Sequence, residues 1–390
     1  MEHAVKTIGY VLADFPALSE TFVGNEMRAM RAEGHRVVPI VMHLLDGPAQ
    51  EEDRRMIGET LVLKDIPRAA ALGALVRPSR RAGAALSFLM AQRSLPRRSL
   101  LGNALKIANV ARQAGCAHLH AHFAGGAAAH AIVAARWIGA TVSFVGHGHD
   151  IYSEPQDIAA KLAAVDFAVA TCDDMVADFE SFQPGVRALR VPCGTDPARF
   201  RPVNDDAPRQ RFLAIGRLVE QKAYDDLLHA LARSLPTVGI DVVGDGPLRD
   251  SLKEMAQGLG LGEDRIRWLG PRANAWIVEA GPGYAAFVAP FRMAPNGERD
   301  TSPVAIKEAM AMGLPVIGTR FMGTKEMVGP DNGILVEPGD VEGLARALDT
   351  VVALDPAKRR AMGEAGRRRV ERELSLDAQA RRLSSLVEAA

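Results

Sequence analysis

Residues 211–222 read Arg-Phe-Leu-Ala-Ile-Gly-Arg-Leu-Val-Glu-Gln-Lys. The first five predict a buried β-strand that ends at a glycine, and residues 223–233 after them have the apolar spacing of a helix. The same alternation recurs along nearly the whole chain. Strands that alternate with helices of ten or more residues indicate parallel sheets covered on both faces. The predicted fold class is therefore α/β.

The alternation falls into two sets, which predicts two α/β domains. Before residue 201, strands are predicted at 7–13, 36–41, 117–121, 140–145, 167–170 and 188–191, with helices at 20–33, 126–137 and 173–182. After residue 209, strands are predicted at 211–215, 240–243, 266–269, 285–289, 314–317 and 333–336, with helices at 223–233, 248–258, 303–312 and 376–388. The polar stretch 201–209 contains two prolines and no apolar periodicity, so it is the predicted linker.

Composition excludes several classes of protein. The chain has 390 residues and no formal net charge, with 47 Lys+Arg against 47 Asp+Glu, which argues against a dedicated nucleic-acid binder. Its three cysteines are too few and too scattered for a disulfide framework or a cysteine-rich zinc site. The sequence shows neither a secretory leader nor an apolar stretch long enough to cross a membrane. These observations predict a cytoplasmic protein.

One segment departs from this balance of charge. Between Lys64 and Arg112 there are ten basic residues and a single acid, Asp65, with apolar residues interleaved. The mixture predicts one or more amphipathic helices with a cationic face, which suits an anionic membrane surface. A solvated basic face that pairs with acids elsewhere in the chain explains the same composition, so both interpretations remain.

The stretch Asp300-Thr-Ser-Pro-Val-Ala-Ile-Lys-Glu308 has the features of a binding loop. It places two carboxylates eight residues apart, at the start and in the middle of the predicted helix 303–312. Ser302 and Thr301 suit the N-cap, and Pro303 suits the first helical position. The free N–H groups and the dipole of such a helix start favour a phosphate or a polarised hydroxyl. Taken alone, two surface acids on a capped helix explain the residues equally well.

Several segments together resemble the family 4 retaining glycosyltransferases of the GT-B fold. The segments that carry the resemblance are Val191-Pro-Cys-Gly-Thr-Asp196, Gly216-Arg-Leu-Val-Glu-Gln-Lys222, Val243-Gly-Asp-Gly-Pro-Leu248, residues 300–316, and Asn332-Gly-Ile-Leu-Val-Glu-Pro-Gly-Asp340. The subgroup that builds exopolysaccharides of the colanic-acid type is resembled by Phe15-Pro-Ala-Leu-Ser-Glu-Thr-Phe-Val23, His120-Ala-His-Phe123 and His147-Gly-His-Asp-Ile-Tyr152. The resemblance implies two Rossmann-like, doubly wound domains that face each other across a cleft. An acceptor-binding domain would comprise residues 1–203 with a C-terminal helix, 374–390, that crosses back to it, and a donor-binding domain would comprise residues 206–372.

The resemblance also implies a donor site in the second domain. Arg217 and Lys222 match the cations that hold the donor diphosphate and stabilise it as the leaving group, a task suited to Arg and Lys. Glu308 matches the acid that accepts hydrogen bonds from the ribose hydroxyls, and Asp300 stands near the donor sugar. The remaining implied contacts are Gly216, Thr301, Ser302, Pro303 and Val304 with the sugar and phosphates, and Arg272 with the nucleobase.

The chain departs from the family pattern at two of these positions. Asp300 stands where the family usually has Glu, although the shorter side chain occurs in part of the family. Ala223 stands where the family commonly has Gly after the lysine. We expect the helix to begin directly at Ala223, in which case no positive φ is required of it.

In the first domain, His147 follows the predicted strand 140–145 and matches the family histidine that lies beside the donor sugar. A cap or a structural hydrogen bond is the alternative role for this side chain. His149 and Asp150 would orient its loop. The residues that the resemblance assigns to the acceptor side are Ser19, Glu20, Thr21, His120, His122, His149 and Asp150.

Six of the ten histidines lie close together in the sequence. On a strand, His118, His120 and His122 would share one face, so a metal site is conceivable there. No cysteine or carboxylate nearby in the sequence completes it, and the chain has no pair of aspartates at i and i+2. We therefore expect no metal and no cofactor, which leaves the diphosphate charge to Arg217 and Lys222.

The resemblance therefore implies a retaining hexosyltransferase of bacterial polysaccharide biosynthesis. The donor would be a nucleotide-diphosphate sugar, with UDP favoured and GDP next, and the acceptor a glycan or a lipid-linked oligosaccharide. The enzyme would be cytoplasmic, either free or peripheral on the inner face of the cell membrane through residues 64–112, and would bind no nucleic acid. Two alternatives stay open: a sugar-nucleotide epimerase of similar fold, and a non-catalytic scaffold that binds a nucleotide sugar.

Overall fold

The computed structural model describes residues 5–17, 20–47, 49–203 and 209–390. Contacts divide the chain into two compact units, the first comprising Met1–Cys193 with Gln379–Ala390 and the second Gly194–Ala378. Within the described residues, the first unit contains a seven-stranded sheet and the second a six-stranded sheet. The predicted α/β class, with two Rossmann-like units, is thereby confirmed. The centre of the predicted linker, residues 204–208, and Ser19 of the predicted acceptor side lie outside the described residues.

The sheet of the first unit is parallel throughout and has the strand order β3-β2-β1-β4-β5-β6-β7. Its strands are β1 Thr7–Phe15, β2 Arg36–Leu44, β3 Leu61–Val62, β4 His118–His122, β5 Thr141–Val145, β6 Phe167–Ala170 and β7 Ala188–Arg190. The two-residue strand β3 at the sheet edge was not predicted, because so short a segment shows no periodicity.

The α-helices that connect these strands are α1 Thr21–Ala32, α2 Glu51–Met56, α3 Arg68–Leu75, α4 Ala82–Ala91, α5 Arg97–Gln113, α6 Gly126–Ile138, α7 Ile158–Ala164 and α8 Asp173–Phe182. Helix α6 is buried over most of its length, because it contacts β1, β4 and β5 on one side and α4 and α5 on the other. Its small residues permit this close approach: seven of its thirteen residues are alanine or glycine. The basic segment 64–112 folds into three helices, α3, α4 and α5.

The sheet of the second unit is also parallel throughout and has the order β10-β9-β8-β11-β12-β13. Its strands are β8 Arg211–Ile215, β9 Gly239–Val243, β10 Ile266–Gly270, β11 Phe287–Ala289, β12 Val316–Thr319 and β13 Gly333–Val336. Strand β12 begins two residues later than predicted, because Gly313 turns the chain with a φ of 74° and Pro315 lacks the N–H that a sheet needs.

Helices cover both faces of this second sheet. They are α9 Tyr224–Arg233, α10 Arg249–Gly258, α11 Asn274–Ala280, α12 Val304–Ala311, α13 Thr324–Met327, α14 Val341–Val352 and α15 Pro356–Arg369, and a further helix, α16 Leu376–Glu388, follows them in the chain. Adjacent residues of β8 belong to different cores, as the alternation of a strand requires. Phe212 and Ala214 pack with residues of α9, α10 and α14, whereas Leu213 packs with residues of α12.

Most of the C-terminal helix α16 belongs to the first unit. Its Ser384 Oγ lies 2.8 Å from His35 Nε2, and the Lys6 ammonium donates to the Val387 carbonyl oxygen at 2.6 Å. Gln379 reaches a buried carboxylate of α1. Hydrogen bonds therefore fix this helix to the unit formed by the N-terminal half of the chain. Among the described residues, no helix is both long enough and apolar enough to span a bilayer.

Candidate active site

The strand orders determine where each sheet can bind a ligand. In the first unit the order reverses between β1 and β4, and in the second unit between β8 and β11. The loops that leave the carboxyl ends of parallel strands diverge at such a point and open a crevice for a ligand. Glu20, His122 and His147 follow or end strands at this edge of the first sheet, and Arg217 and Asp300 do so in the second.

In the second unit, the loop after β8 is held tightly against its neighbour. The N–H of Gly216 donates to the Val243 carbonyl oxygen at 3.0 Å. Gly244 follows β9 with a φ of 141°, and a Cβ there would collide with the carbonyl oxygen of Gly216. Only glycine permits this approach. The two glycines therefore fix the path of the chain that carries Arg217 and Lys222.

Lys222 ends a short 3₁₀ turn, Glu220–Lys222, and its ammonium contacts both a carboxylate and an aromatic ring. Lys222 Nζ lies 2.6 Å from Asp300 Oδ2 and 4.0 Å from the centre of the Phe291 ring. A cation over an aromatic face is stabilised by the ring quadrupole. The structure therefore brings together two residues that the resemblance placed at the donor, as an ion pair beside an aromatic ring.

The expectation that Ala223 needs no positive φ is wrong. Ala223 has φ 49° and ψ 45°, in the left-handed region, and α9 begins only at Tyr224. The chain turns back between the Lys222 ammonium and the helix, and this reversal requires the conformation that glycine adopts without strain. The departure from the family pattern at this position therefore costs backbone strain.

The segment from Asp300 to Val304 differs in detail from the predicted helix start. Helix α12 begins at Val304, and Pro303 occupies the N-cap rather than the first helical position. Ser302 does not cap the helix, because it accepts hydrogen bonds from the Lys307 ammonium instead. Lys307 Nζ lies 2.7 Å from Ser302 Oγ and 3.0 Å from the Ser302 carbonyl oxygen. Lys307 is fully buried, and a buried ammonium requires such acceptors. The role of Lys307 in shaping this loop was missed by sequence reasoning.

Glu308 lies on α12, half-buried. Burial raises its pKa from 4.5 to about 7, against the opposing effects of Arg199 and Lys307. Hydroxyl groups that donate hydrogen bonds to this carboxylate would stabilise its ionised form. The ribose hydroxyls of a nucleotide are such donors. The influence of Arg199 was not predicted, although Arg199 lies three residues after Asp196, the last residue of a segment quoted for the resemblance.

The two remaining cations predicted at the donor are exposed. No described acid pairs with Arg217, so its guanidinium is available to an anion. Arg272 follows β10 and lies 5.6 Å from the Trp276 ring, an arrangement that offers flat surfaces for a base to stack on.

In the first unit, the loop after β5 holds His147 through its backbone. The N–H of His147 donates to Asp150 Oδ1 at 2.9 Å, and Asp150 Oδ2 accepts from the N–H of Ala124 at 2.6 Å. Burial raises the pKa of Asp150 to about 7, against these hydrogen bonds. Asp150 therefore joins the loops after β4 and β5, whereas His149 is exposed and lies 3.7 Å from Glu154.

The histidines of β4 share one face of the strand, as the alternation predicted, and all three are buried. His118 Nε2 and His120 Nδ1 lie 2.8 and 2.7 Å from the Ser143 hydroxyl. His122 Nδ1 lies 3.3 Å from His147 Nε2. The rings of Phe22 and Phe123 pack on His147 at 4.7 and 4.5 Å. His147 is therefore held from three sides.

The tertiary structure supplies a carboxylate that the sequence did not reveal beside these histidines. Glu26 of α1 places Oε1 3.1 Å from His122 Nε2 and 3.4 Å from His120 Nε2. The polar atoms of these three residues lie within 4.8 Å of one another, close enough to hold one cation. Glu26 was missed because 96 residues separate it from His122 and nothing in the sequence of α1 distinguishes it from a surface acid.

Two further residues of the predicted acceptor side lie at the start of α1. Thr21 is its first residue, and Glu20 precedes it, half-buried. Burial raises the pKa of Glu20, while His122 opposes the rise. The structure therefore gathers Glu20, His122 and His147 at one edge of the first sheet.

Comparison with known proteins identifies the family of a domain within the second unit. A family model described as "Glycosyl transferases group 1" matches residues 209–353. These residues form a glycosyl transferases group 1 domain. The group 1 domain contains Arg217, Lys222, Asp300 and Glu308, so the residues assigned to a donor all fall within it.

Curated relatives are consistent with this assignment. The chain is 37% identical over 165 residues to the lipopolysaccharide core biosynthesis glycosyltransferase LpsE of Rhizobium meliloti, which covers 41% of this chain and 44% of LpsE. It is 24% identical over 412 residues to the putative colanic acid biosynthesis glycosyltransferase WcaL of Salmonella typhimurium, across 98% of this chain and 99% of WcaL. The chain spans about half the length of LpsE and of three other curated relatives that it matches.

Solved structures share the whole architecture. The complex of Anabaena Alr3699/HepE with UDP has a TM-score of 0.75 at 15% identity and covers 98% of this chain and 100% of that chain. The likeness confirms the predicted GT-B fold beyond the group 1 domain.

Proposed function

We propose that this protein is a retaining glycosyltransferase of bacterial polysaccharide biosynthesis. It moves a hexose from a nucleotide-diphosphate sugar to a glycan or lipid-linked acceptor. The observation that carries the proposal is the set of residues at the switch point of the group 1 domain: an exposed Arg217 with no acidic partner among the described residues, Lys222 beside Asp300, and Glu308 on the helix that follows.

The chemistry of the donor requires these residue types. Transfer from a nucleotide sugar releases a nucleoside diphosphate whose terminal phosphate gains a negative charge and carries about two in all, and guanidinium and ammonium groups neutralise them directly. Arg217 and Lys222 supply two positive charges, so the reaction we propose needs no metal and no cofactor. Retention then follows from attack on the same face of the sugar, with the departing phosphate taking the proton of the acceptor hydroxyl.

Uridine is the base we favour, with guanosine next. The Anabaena structures similar to this chain contain UDP, UDP with glucose, or UDP-glucose, whereas a relative from Mycolicibacterium smegmatis is named as GDP-mannose-dependent. Arg272 and Trp276 offer stacking to either base. The choice is therefore an experimental one.

The first test is a thermal-shift panel of UDP-, GDP- and ADP-sugars, because a ligand that binds only the folded state raises the melting temperature by mass action. The stabilising sugar nucleotide is then incubated with and without membrane-extracted glycolipid. Transfer of the labelled sugar supports the proposal. Isomerised donor in the absence of acceptor would instead indicate an epimerase, and tight binding without transfer or hydrolysis would indicate a scaffold.

We further propose that the protein works at the inner face of the cell membrane, attached through α3 and α4. Of the eleven exposed large hydrophobic side chains among the described residues, five lie in this segment: Leu72, Leu75, Val76, Leu86 and Met90. Among its basic residues only Arg81 pairs with a described acid, Asp166 at 3.6 Å. A solvated face that pairs with acids elsewhere would show more such contacts, so exposed leucines among unpaired cations favour an anionic bilayer.

Flotation with vesicles tests this attachment. The protein should bind vesicles that contain phosphatidylglycerol and dissociate from them at high salt. It should not bind neutral phosphatidylcholine vesicles. The double variant Leu72→Ser/Val76→Ser should lose binding while keeping its melting temperature, because both side chains are exposed. The control Leu235→Ser removes an exposed leucine from the second unit and should bind as the wild type does. Equal binding by all three proteins would contradict the proposal.

A further inference from the structure

The turn that carries Lys222 is held at both ends by one residue of the loop after β11, Arg292. The backbone N–H of Arg292 donates to the Gln221 carbonyl oxygen at 3.1 Å. Its guanidinium reaches the first turn of α9, where Nη1 lies 2.8 Å from Asp226 Oδ2 and Nη2 lies 2.8 Å from Asp225 Oδ2. Arg292 therefore contacts the chain directly before Lys222 and again at the start of the helix that follows.

The geometry of these ion pairs differs from that of an ordinary surface pair. Arg292, Asp225 and Asp226 are all partly buried, and each arm of the planar guanidinium donates to a separate carboxylate. A third acid, Glu220, lies 3.6 Å from Nη2. One cation therefore ties down the turn and also offsets three negative charges close to Lys222.

The loop that carries Arg292 is itself anchored to the sheet. The carbonyl oxygen of the preceding residue, Phe291, accepts a hydrogen bond from the buried Thr319 hydroxyl at the end of β12. The Phe291 ring lies against the Lys222 ammonium, with 4.0 Å between Nζ and the ring centre. Phe291 and Arg292 therefore fix the lysine relative to strands β11 and β12.

The turn contains a strained residue that requires such support. Ala223 has φ 49° and ψ 45°, a conformation that an L-residue keeps only where the surrounding structure imposes it. The N–H of Ala223 donates to the Glu220 carbonyl oxygen at 3.1 Å, which closes the 3₁₀ turn on one side. The ion pairs of Arg292 with the first turn of α9 constrain the chain on the other side.

We propose that Arg292 is a positioning residue, which holds the strained turn at Ala223 and thereby presents the Lys222 ammonium to the diphosphate of the donor. The inference rests on the proposed function for the identity of the ligand, whereas the order of the turn is a property of the protein alone. Sequence reasoning missed Arg292 because 66 residues separate it from Asp226, and no motif around Lys222 includes it.

Hydrogen exchange of residues 219–228 tests the positioning role without any ligand. Arg292→Met keeps an unbranched apolar side chain but removes the charge and both donors, so amides of this segment should exchange roughly ten-fold faster than in the wild type. Arg292→Lys keeps the charge without the fork and should show a smaller effect in the same direction. It also keeps the test decisive if Arg292→Met does not fold.

The matched control is Arg233→Met, at the other end of α9, where the guanidinium pairs with Glu342 at 2.8 Å. It should leave the exchange of residues 219–228 unchanged. Wild-type exchange rates in this segment of a folded Arg292→Met protein would overturn the proposal.

Binding and turnover then connect the turn to the donor. In Arg292→Met, the affinity for UDP and kcat should each fall on the order of 10- to 100-fold, because a displaced ammonium meets the diphosphate poorly. A merely structural role would lower kcat through loss of folded enzyme and leave the KM for the donor unchanged, and that result would contradict the proposal. Faster exchange in Arg292→Met, together with a wild type that binds no sugar nucleotide, would support the role of Arg292 in the turn and contradict the transferase proposal instead.

Two further variants separate position from charge and from strain. Arg292→Met/Asp225→Asn/Asp226→Asn removes the guanidinium together with two of the charges that it offsets, and its affinity for UDP should stay low. Wild-type affinity in this variant would overturn the proposal, because it would mean that Arg292 acts by neutralisation alone. Arg292→Met/Ala223→Gly should recover affinity several-fold over Arg292→Met, because glycine adopts the turn without strain. No recovery in this variant would also overturn the proposal.

Discussion

Lys222 and Asp300 form an ion pair, with 2.6 Å between Nζ and Oδ2, although 78 residues separate them. Both are half-buried, at 14% and 24% side-chain exposure. The resemblance assigned Lys222 to the donor diphosphate and Asp300 to the donor sugar. Each neutralises the charge of the other, so a donor diphosphate would compete with Asp300 for the ammonium.

Replacing Asp300 should therefore separate binding of the nucleotide from transfer of the sugar. In Asp300→Asn the ammonium loses its competitor, and UDP, which carries the charge but no sugar, should bind several-fold more tightly. Transfer from the intact donor should become slower, because the carboxylate beside the sugar is gone. Calorimetry with UDP and initial rates with the UDP-sugar measure the two effects. Weaker binding of UDP by this variant would show that Asp300 holds the Lys222 ammonium in the position that binds UDP, rather than competing with UDP for it.

Arg217 offers the cleanest test of leaving-group stabilisation, because it is exposed and no described acid depends on it. Arg217→Ala should lower kcat on the order of 100-fold without changing the melting temperature. Arg346→Ala removes another exposed arginine of the group 1 domain, on α14, and serves as the control with normal kcat. Full activity in Arg217→Ala would show that the guanidinium does not stabilise the leaving group.

Glu308 should make both stability and nucleotide binding depend on pH. Its folded-state pKa is raised from 4.5 to about 7, so between these values the folded protein keeps a proton that the unfolded chain releases. This contribution to stability is fully present below about pH 4.5 and is lost as the pH rises through about 7. As the pH rises from about 5 to about 8, the melting temperature of Glu308→Gln should therefore fall less than that of the wild type.

Nucleotide binding should change in the opposite direction with pH, because ribose hydroxyls donate to the ionised carboxylate. Affinity for UDP in the wild type should rise as the pH passes about 7, and Glu308→Gln should abolish the rise. Parallel pH profiles for the two proteins would show that Glu308 does not contact the nucleotide.

Ala223 provides a test of backbone strain next to the site. Its left-handed conformation, φ 49°, costs an L-residue about 1–2 kcal/mol, and its buried methyl group returns about 0.8 kcal/mol. Ala223→Gly should therefore raise the free energy of unfolding by up to about 1 kcal/mol. Ala230→Gly, in the middle of α9, should instead lower it by about 1 kcal/mol. Urea denaturation of both variants decides the sign, and a destabilised Ala223→Gly would mean that the turn is not strained.

Much of the architecture could be predicted from the sequence, because each strand and helix has a local periodicity. Residues 167–170, 173–182, 211–215 and 333–336 have the predicted bounds, since an apolar run next to a glycine or a polar turn defines each end. The short edge strand β3 and the late start of β12 depend on pairing and turn geometry and left no such signal.

The motif residues of the group 1 domain were also accessible to sequence reasoning, because phosphate and sugar recognition uses a few residue types at fixed spacings after a strand. The sequence by itself therefore determined the α/β class and the segments that carry Arg217, Lys222, Asp300 and Glu308. Only the tertiary structure decided which charges meet: Lys222 with Asp300, Arg199 with Glu308, and Glu26 with His122. Strand order and helix packing bring such residues together across tens of residues of chain, and burial, which no local pattern records, then sets their protonation.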